Sequence, residues 1–151
     1  MLKLKVGDMA PELDAKDQSG NTIKLSNYKG SKVVLYFYPK DDTPGCTAEA
    51  CNLRDNYEVL QKKGFKIIGV SVDNEKSHLK FIEKYKLPFP LIADTDKIVC
   101  NAYGVWGKKK LMGKEYDGIS RVTFVISEDG MIEDIIEKVD TKNHTNQLIS
   151  I

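Results

Sequence analysis

The chain reads as an α/β fold, a central mixed β-sheet flanked by helices with an N-terminal β-hairpin extension. Three observations predict it. Short β-branched apolar runs alternate with segments of helical spacing, the order expected of parallel strands joined by crossover helices. Val33 to Tyr38 is apolar at every position, as a strand covered on both faces is. Two late strands joined by Glu128-Asp129-Gly130 supply an antiparallel edge.

The elements follow in order. Leu13 to Lys16 and Thr22 to Leu25 flank Asp17-Gln18-Ser19-Gly20-Asn21, a turn-rich gap that predicts a hairpin. Pro39 stops the first buried strand. Cys46 to Lys62 carries Ala50, Leu53, Tyr57 and Leu60 at helical spacing, and Gly64 ends it. Phe65 to Val72 is a second buried strand. Glu75 to Tyr85 is a helix on Leu79, Ile82 and Tyr85. Leu91 to Ala93 is a short strand and Asp96 to Tyr103 a short helix. Arg121 to Ile126 and Met131 to Glu137 are the late strands, and Asn143 to Ser150 is the last helix. No linker or repeat interrupts residues 1–151, which are expected to form one domain.

Composition excludes several classes. Lys+Arg is 23 against 22 Asp+Glu, a formal charge of +1, which argues against a polyanion-binding surface. The apolar runs Val33 to Tyr38 and Ile67 to Val70 fall far short of the roughly 20 residues of a membrane helix. The first residues, Met1-Leu2-Lys3-Leu4-Lys5-Val6-Gly7-Asp8, lack the apolar core of a secretory signal. The expectation is a cytoplasmic protein with no nucleic-acid or membrane partner. In that compartment paired cysteines are usually catalytic or redox-sensing, and three cysteines leave one unpaired.

In such folds the reactive groups gather at the carboxyl ends of strands. The loop after the first buried strand is Pro39-Lys40-Asp41-Asp42-Thr43-Pro44-Gly45, and Cys46 follows in the first turn of a helix. Unpaired N–H groups and the helix dipole favour an anion there, and a thiolate is one. Thr43 lies close enough for its hydroxyl to reach the same pocket, and Gly45 lets a ligand approach the backbone. The competing readings are a buried structural cysteine and a zinc site. Zinc is disfavoured because Cys46 and Cys51 have no second pair, and His78 and His144 lie on separate predicted helices. On an intact helix Cys51 lies about 140° around from Cys46 and roughly 7.5 Å along it, about 8.7 Å between Cα atoms. A disulfide needs about 4.4–6.8 Å. Cys51 is therefore either a packing residue or a partner that Cys46 meets only when the helix unwinds. These residues alone leave both open.

The block Tyr36-Phe37-Tyr38-Pro39-Lys40-Asp41-Asp42-Thr43-Pro44-Gly45-Cys46-Thr47-Ala48-Glu49-Ala50-Cys51 resembles the active-site segment of the peroxiredoxins, closest to the bacterioferritin comigratory protein (peroxiredoxin Q) subgroup. Gly104 to Lys110, Gly113 to Tyr116 and Gly118 to Ile126 are similar to a later segment of that subgroup, as is the opening Val6 to Pro11. The resemblance spans essentially the whole chain. It implies a thioredoxin-like fold and a thiol peroxidase reducing hydrogen peroxide and organic hydroperoxides, with no cofactor or metal. It makes Cys46 the peroxidatic cysteine, Cys51 the resolving cysteine, Thr43 and Pro39 the shapers of the pocket, and Arg121 the active-site arginine. It names thioredoxin as reductant and implies a monomer.

Two other functions on this fold compete. A dithiol–disulfide oxidoreductase would carry Cys-x-x-Cys, but Glu49 stands where its second cysteine would be. A redox sensor or chaperone would share the fold without turnover. The remaining reactive-looking residues read blandly. Cys100 is expected to pack, Asp41-Asp42 to suit the dipole of the following helix, and Lys108-Lys109-Lys110 to be a solvated loop. Trp106 reads as core or pocket border, and His144 has no evident partner.

Overall fold

The computed structural model describes residues 3–150. Its central sheet has five strands, β3 (Lys32–Phe37), β4 (Phe65–Ser71), β5 (Leu91–Ala93), β8 (Val122–Ile126) and β9 (Ile132–Ile136), in the order β5-β4-β3-β8-β9. β3 pairs in parallel with β4, and β4 with β5, while β8 runs antiparallel to both β3 and β9. This is the mixed sheet with an antiparallel edge that the strand order predicts.

Alternation along β3 divides two cores. Val33, Leu35 and Phe37 enter one, and Val34 and Tyr36 enter the other. On the second face lie α1 (Pro44–Asp55), α2 (Tyr57–Lys62), α3 (Glu75–Tyr85) and α5 (His144–Ile149), through Leu53, Leu60, Phe81 and Leu148. On the first face lie α4 (Ile98–Ala102), through Val99 and Cys100, and the N-terminal hairpin, through Leu13 and Ile23. Among the described residues no helix is long and apolar enough to cross a membrane.

Three details depart from the pattern-based expectation. The N-terminal hairpin is shorter, β1 (Ala15–Lys16) with β2 (Thr22–Ile23), because Leu25–Tyr28 turns into a 3₁₀ helix. Its turn is closed by Asp17, whose carboxylate accepts from the Ser19 and Asn21 N–H groups. The expected helix from Cys46 to Lys62 is two helices. At Asn56 the side-chain amide donates to Asn52 O, the carbonyl that a continuing helix bonds with its backbone N–H, and the chain kinks. Finally, Lys108 to Lys110 are not a loop. They lie in β6 (Trp106–Leu111), paired with β7 (Lys114–Ile119) as a two-stranded ribbon. Met112 and Gly113 both take positive φ at its tip, the conformation of a two-residue hairpin turn. Trp106 packs partly against the first core.

Candidate active site

α1 begins beyond the carboxyl end of β3. Thr43 is its N-cap in extended conformation and Pro44 its first helical residue, a position where proline's fixed φ is suited to the helix. Cys46 is therefore in the first turn, as expected, with its backbone N–H among those the helix leaves unpaired. Cys46, Glu49, Ala50 and Leu53 make the buried face. Cys46 itself is only 1% exposed.

β8 runs antiparallel to β3, with Val122 opposite Phe37, so the residue just before β8 arrives at the same end of the sheet. That residue is Arg121. Its Nη2 donates to the Cys46 sulfur at 3.3 Å and its Nη1 to Glu49 Oε1 at 2.8 Å. A Cβ added at Gly45 would lie 3.1 Å from Nη2, so Gly45 makes room for the guanidinium as much as for any ligand. Burial opposes the Arg121 charge, but Cys46 and Glu49 more than offset it and raise its pKa.

Glu49 is fully buried, and its pKa is pushed up to about 7 by burial, against the lowering effect of Arg121. Its Oε2 has no hydrogen-bond partner among the described residues and lies 3.6 Å from Nε2 of His144. His144, expected to be partnerless, is instead fully buried between Glu49, Thr123 and Gln147. Sequence reasoning missed both Glu49 and His144. The available signal was an acid on the inward face of a helix, three residues after Cys46.

The remaining expected residues fall as follows. Thr43 Oγ1 donates to Lys40 O at 2.8 Å, so its proton is engaged and its lone pairs remain free. Pro39 is half-buried at the exit from β3. Cys51 is half-buried on α1, and burial raises its pKa. No helix break falls between residues 46 and 51, so the separation set by an intact helix applies. All three cysteines are free. Cys100 is fully buried in the opposite core, where burial and the Asp94 carboxylate push its pKa far up.

The acidic pair does not serve the helix dipole. α1 has no acid in its first turn. Asp41 is turned towards α3, accepting from Tyr38 Oη at 2.6 Å and Ser77 Oγ at 2.8 Å and facing His78 Nδ1 at 2.7 Å. Asp42 pairs with Lys84 at 2.7 Å and accepts from Tyr85 Oη, which lowers its pKa. The loop before α1 is thus clamped onto α3. Asp41, Asp73 and His78 lie close enough together to suggest a cation site. Hydroxyl and backbone donors already occupy the two carboxylates, which accounts for the cluster without an ion. Lys109 of β6 also belongs near the site. Its ammonium donates to Ile119 O at 2.7 Å, and burial together with nearby Arg121 lowers its pKa.

A near-buried thiol at a helix start, held by an arginine on this mixed sheet, defines a thiol-based redox enzyme of thioredoxin-like architecture. The comparisons with known proteins narrow the class. The AhpC/TSA family profile matches residues 6–135. Peroxiredoxin Bcp of Escherichia coli K12 is 45% identical over 150 residues, 99% of this chain and 96% of the relative. Peroxiredoxin Bcp of Bacillus subtilis is 46% identical over 148 residues, 98% and 94% of the two chains. A structure of the Xanthomonas campestris bacterioferritin comigratory protein, from work on its alkyl peroxide reduction activity, superposes with a TM-score of 0.89 at 34% identity, covering 98% and 95%. Peroxidoxin BcpB of Mycobacterium tuberculosis gives 0.86 at 33% identity, covering 97% and 95%. The chain belongs to the AhpC/TSA family, among its Bcp-type peroxiredoxins, and is a thiol-dependent peroxidase.

Proposed function

We propose that Cys46 is the peroxidatic nucleophile, that Cys51 resolves it, and that the enzyme reduces hydrogen peroxide and alkyl hydroperoxides at the expense of thioredoxin. The observation that carries this reading is the Arg121 Nη2–Cys46 Sγ contact at 3.3 Å. A permanent cation with a rigid fork of donors stabilises the thiolate before reaction.

The Cys46 thiolate attacks one peroxide oxygen and the O–O bond breaks. The other oxygen leaves as hydroxide or alkoxide and takes up a proton. Negative charge moves from sulfur to the departing oxygen, so donors lining that path lower the barrier. Arg121 and the Cys46 N–H are such donors. Thr43 acts as an acceptor. Because its proton is held by Lys40 O, it receives the peroxide O–H and orients the substrate. Pro39 shapes the loop that presents Thr43.

Cys46 is then a sulfenic acid. The Cys51 thiolate attacks its sulfur, the S–O bond breaks, and water forms with one added proton. The intact helix holds the two Cα atoms about 8.7 Å apart, beyond disulfide reach, so the first turns of α1 must open. The kink at Asn56 supports this, because α2 need not move when α1 does. A dithiol such as thioredoxin reduces the disulfide by two exchange steps. Both cysteines and Arg121 lie on one chain, which supports a monomer as the working unit. A reductant of this kind operates in the cytoplasm, where the enzyme is placed on this reading.

Purified protein incubated with hydrogen peroxide, thioredoxin and thioredoxin reductase tests the proposal. Steady consumption of reducing equivalents is expected. Absence of turnover with this couple and with other dithiols would reject it in favour of a sensor or chaperone.

A further inference from the structure

We propose that His144 is a positioning residue of the peroxidase reaction, sharing one proton with Glu49 so that the carboxyl group holding Arg121 against Cys46 stays neutral. The inference rests on the assignment of Cys46 as nucleophile and extends it to a residue 98 positions away.

Its basis is a chain of contacts. Gln147 Oε1 accepts from the Asp140 backbone N–H at 2.9 Å, and Gln147 Nε2 donates to Lys138 O at 2.9 Å, which fixes the amide's orientation. His144 Nδ1 faces that same Oε1 at 2.8 Å, so Nδ1 carries a proton and donates. The lone pair of a neutral ring is then on Nε2, which faces Thr123 Oγ1 at 2.9 Å and Glu49 Oε2 at 3.6 Å. Glu49 Oε2 is the orphaned oxygen of a fully buried carboxyl. At rest the Thr123 hydroxyl donates to that lone pair, so a proton on Oε2 reaches Nε2 when the two groups close from 3.6 Å and the hydroxyl turns away.

Burial raises the Glu49 pKa and lowers that of His144, so both directions favour the uncharged pair over the ion pair. Other charged or titratable groups face the pair. Arg121 and Tyr36 face Glu49, with Cys46 beside them, and Arg121 and Asp140 face His144. Burial and the neighbouring Glu49 hold Tyr36 well above its usual range, and Arg121 remains charged, so neither supplies a step near neutrality. With Glu49 neutral, Arg121 keeps its Oε1 contact while its charge is directed at sulfur. When Glu49 ionises, a carboxylate competes for that charge.

Two measurements test this on the full chain. The first is the ¹⁵N shift of His144 Nε2 against pH. Besides the ring's own protonation at lower pH, it should show a step with a midpoint near the value of about 7 set by Glu49, and that step should vanish in Glu49→Gln. The second is the rate constant of Cys46 with hydrogen peroxide against pH. It should step down through the same midpoint by roughly tenfold, below the ~100-fold that an ångström of misplacement costs. His144→Phe removes the bond to the neutral acid, so its step should shift to lower pH, and His144→Gln, which retains an acceptor, should restore it. A His144→Phe profile superimposable on wild type, or an unchanged His144 titration in Glu49→Gln, overturns the proposal. If His144→Phe does not fold, the Nε2 titration alone decides. Failure of the nucleophile assignment appears separately, as turnover that survives Cys46→Ser.

Discussion

Cys46 and Cys100 are buried alike, 1% and 0% exposed, and each lies on a helix packed against β3's sheet. They sit in opposite cores and meet opposite charges. Cys46 has the Arg121 guanidinium at 3.3 Å. Cys100 has Asp94, which accepts from the backbone N–H groups of Val99 and Cys100 and caps α4. On the proposed assignment, neither burial nor helix position separates the reactive thiol from the inert one. The sign of the neighbouring charge does: a guanidinium faces Cys46 and a carboxylate faces Cys100.

The sharpest way to break this comparison is to exchange the thiols for hydroxyls. Cys46→Ser should lower peroxide turnover by at least ~10³-fold, as loss of a nucleophile does, while Cys100→Ser should leave it within about twofold. Coupled thioredoxin consumption measures both. A comparable loss in the two variants would remove the distinction. Next is the charge itself. Arg121→Gln should slow reaction of Cys46 with peroxide by about 10²–10³-fold, the range for loss of one preorganised donor. Stopped-flow rates under single-turnover conditions measure it.

Two smaller effects concern stability. The Glu49 pKa in the folded chain is about 7, above its ordinary 4.5. Between these values the folded chain holds a proton the unfolded chain has released, so stability falls as pH rises. His144, lowered by burial, acts in the opposite sense, losing stability as pH falls below 6.5. Glu49→Gln removes only the first contribution. Its urea stability relative to wild type should therefore rise from pH 4.5 to 7, by about 1–3 kcal/mol. A flat or falling difference would contradict the buried neutral carboxyl. Asp94→Ala, finally, should cost about 1 kcal/mol through loss of the α4 cap and leave the peroxide rate of Cys46 unchanged. Urea midpoints and initial rates on one preparation check both parts.

Local signals made most of this legible in sequence. The apolar run of β3, Pro39, and Cys46 at a helix start lie within a few residues of one another, so one pattern carries both the fold and the proposed nucleophile. The resemblance points to Arg121, and the antiparallel pairing of β8 with β3 is what brings it to Cys46. What was not legible depends on long-range packing or unusual local conformations. His144 meets Glu49 because α5 docks on α1, where Thr145 N–H donates to Asn52 Oδ1 and Asn52 Nδ2 to Lys142 O. No periodicity announces that docking. The β6–β7 ribbon turns on Met112 at φ 53°, where a turn signal would usually be Asn or Asp, so the three lysines read as loop. The Asn56 kink hides in a pattern of apolar residues that continues across it.

The central claim is that Cys46 reacts first and Cys51 answers it, with Cys100 excluded. Mass spectrometric mapping of the reduced protein after one equivalent of hydrogen peroxide tests it most directly. A Cys46–Cys51 disulfide beside a free Cys100 thiol is the predicted result. A persistent sulfenic acid at Cys46, or a disulfide that includes Cys100, would contradict it.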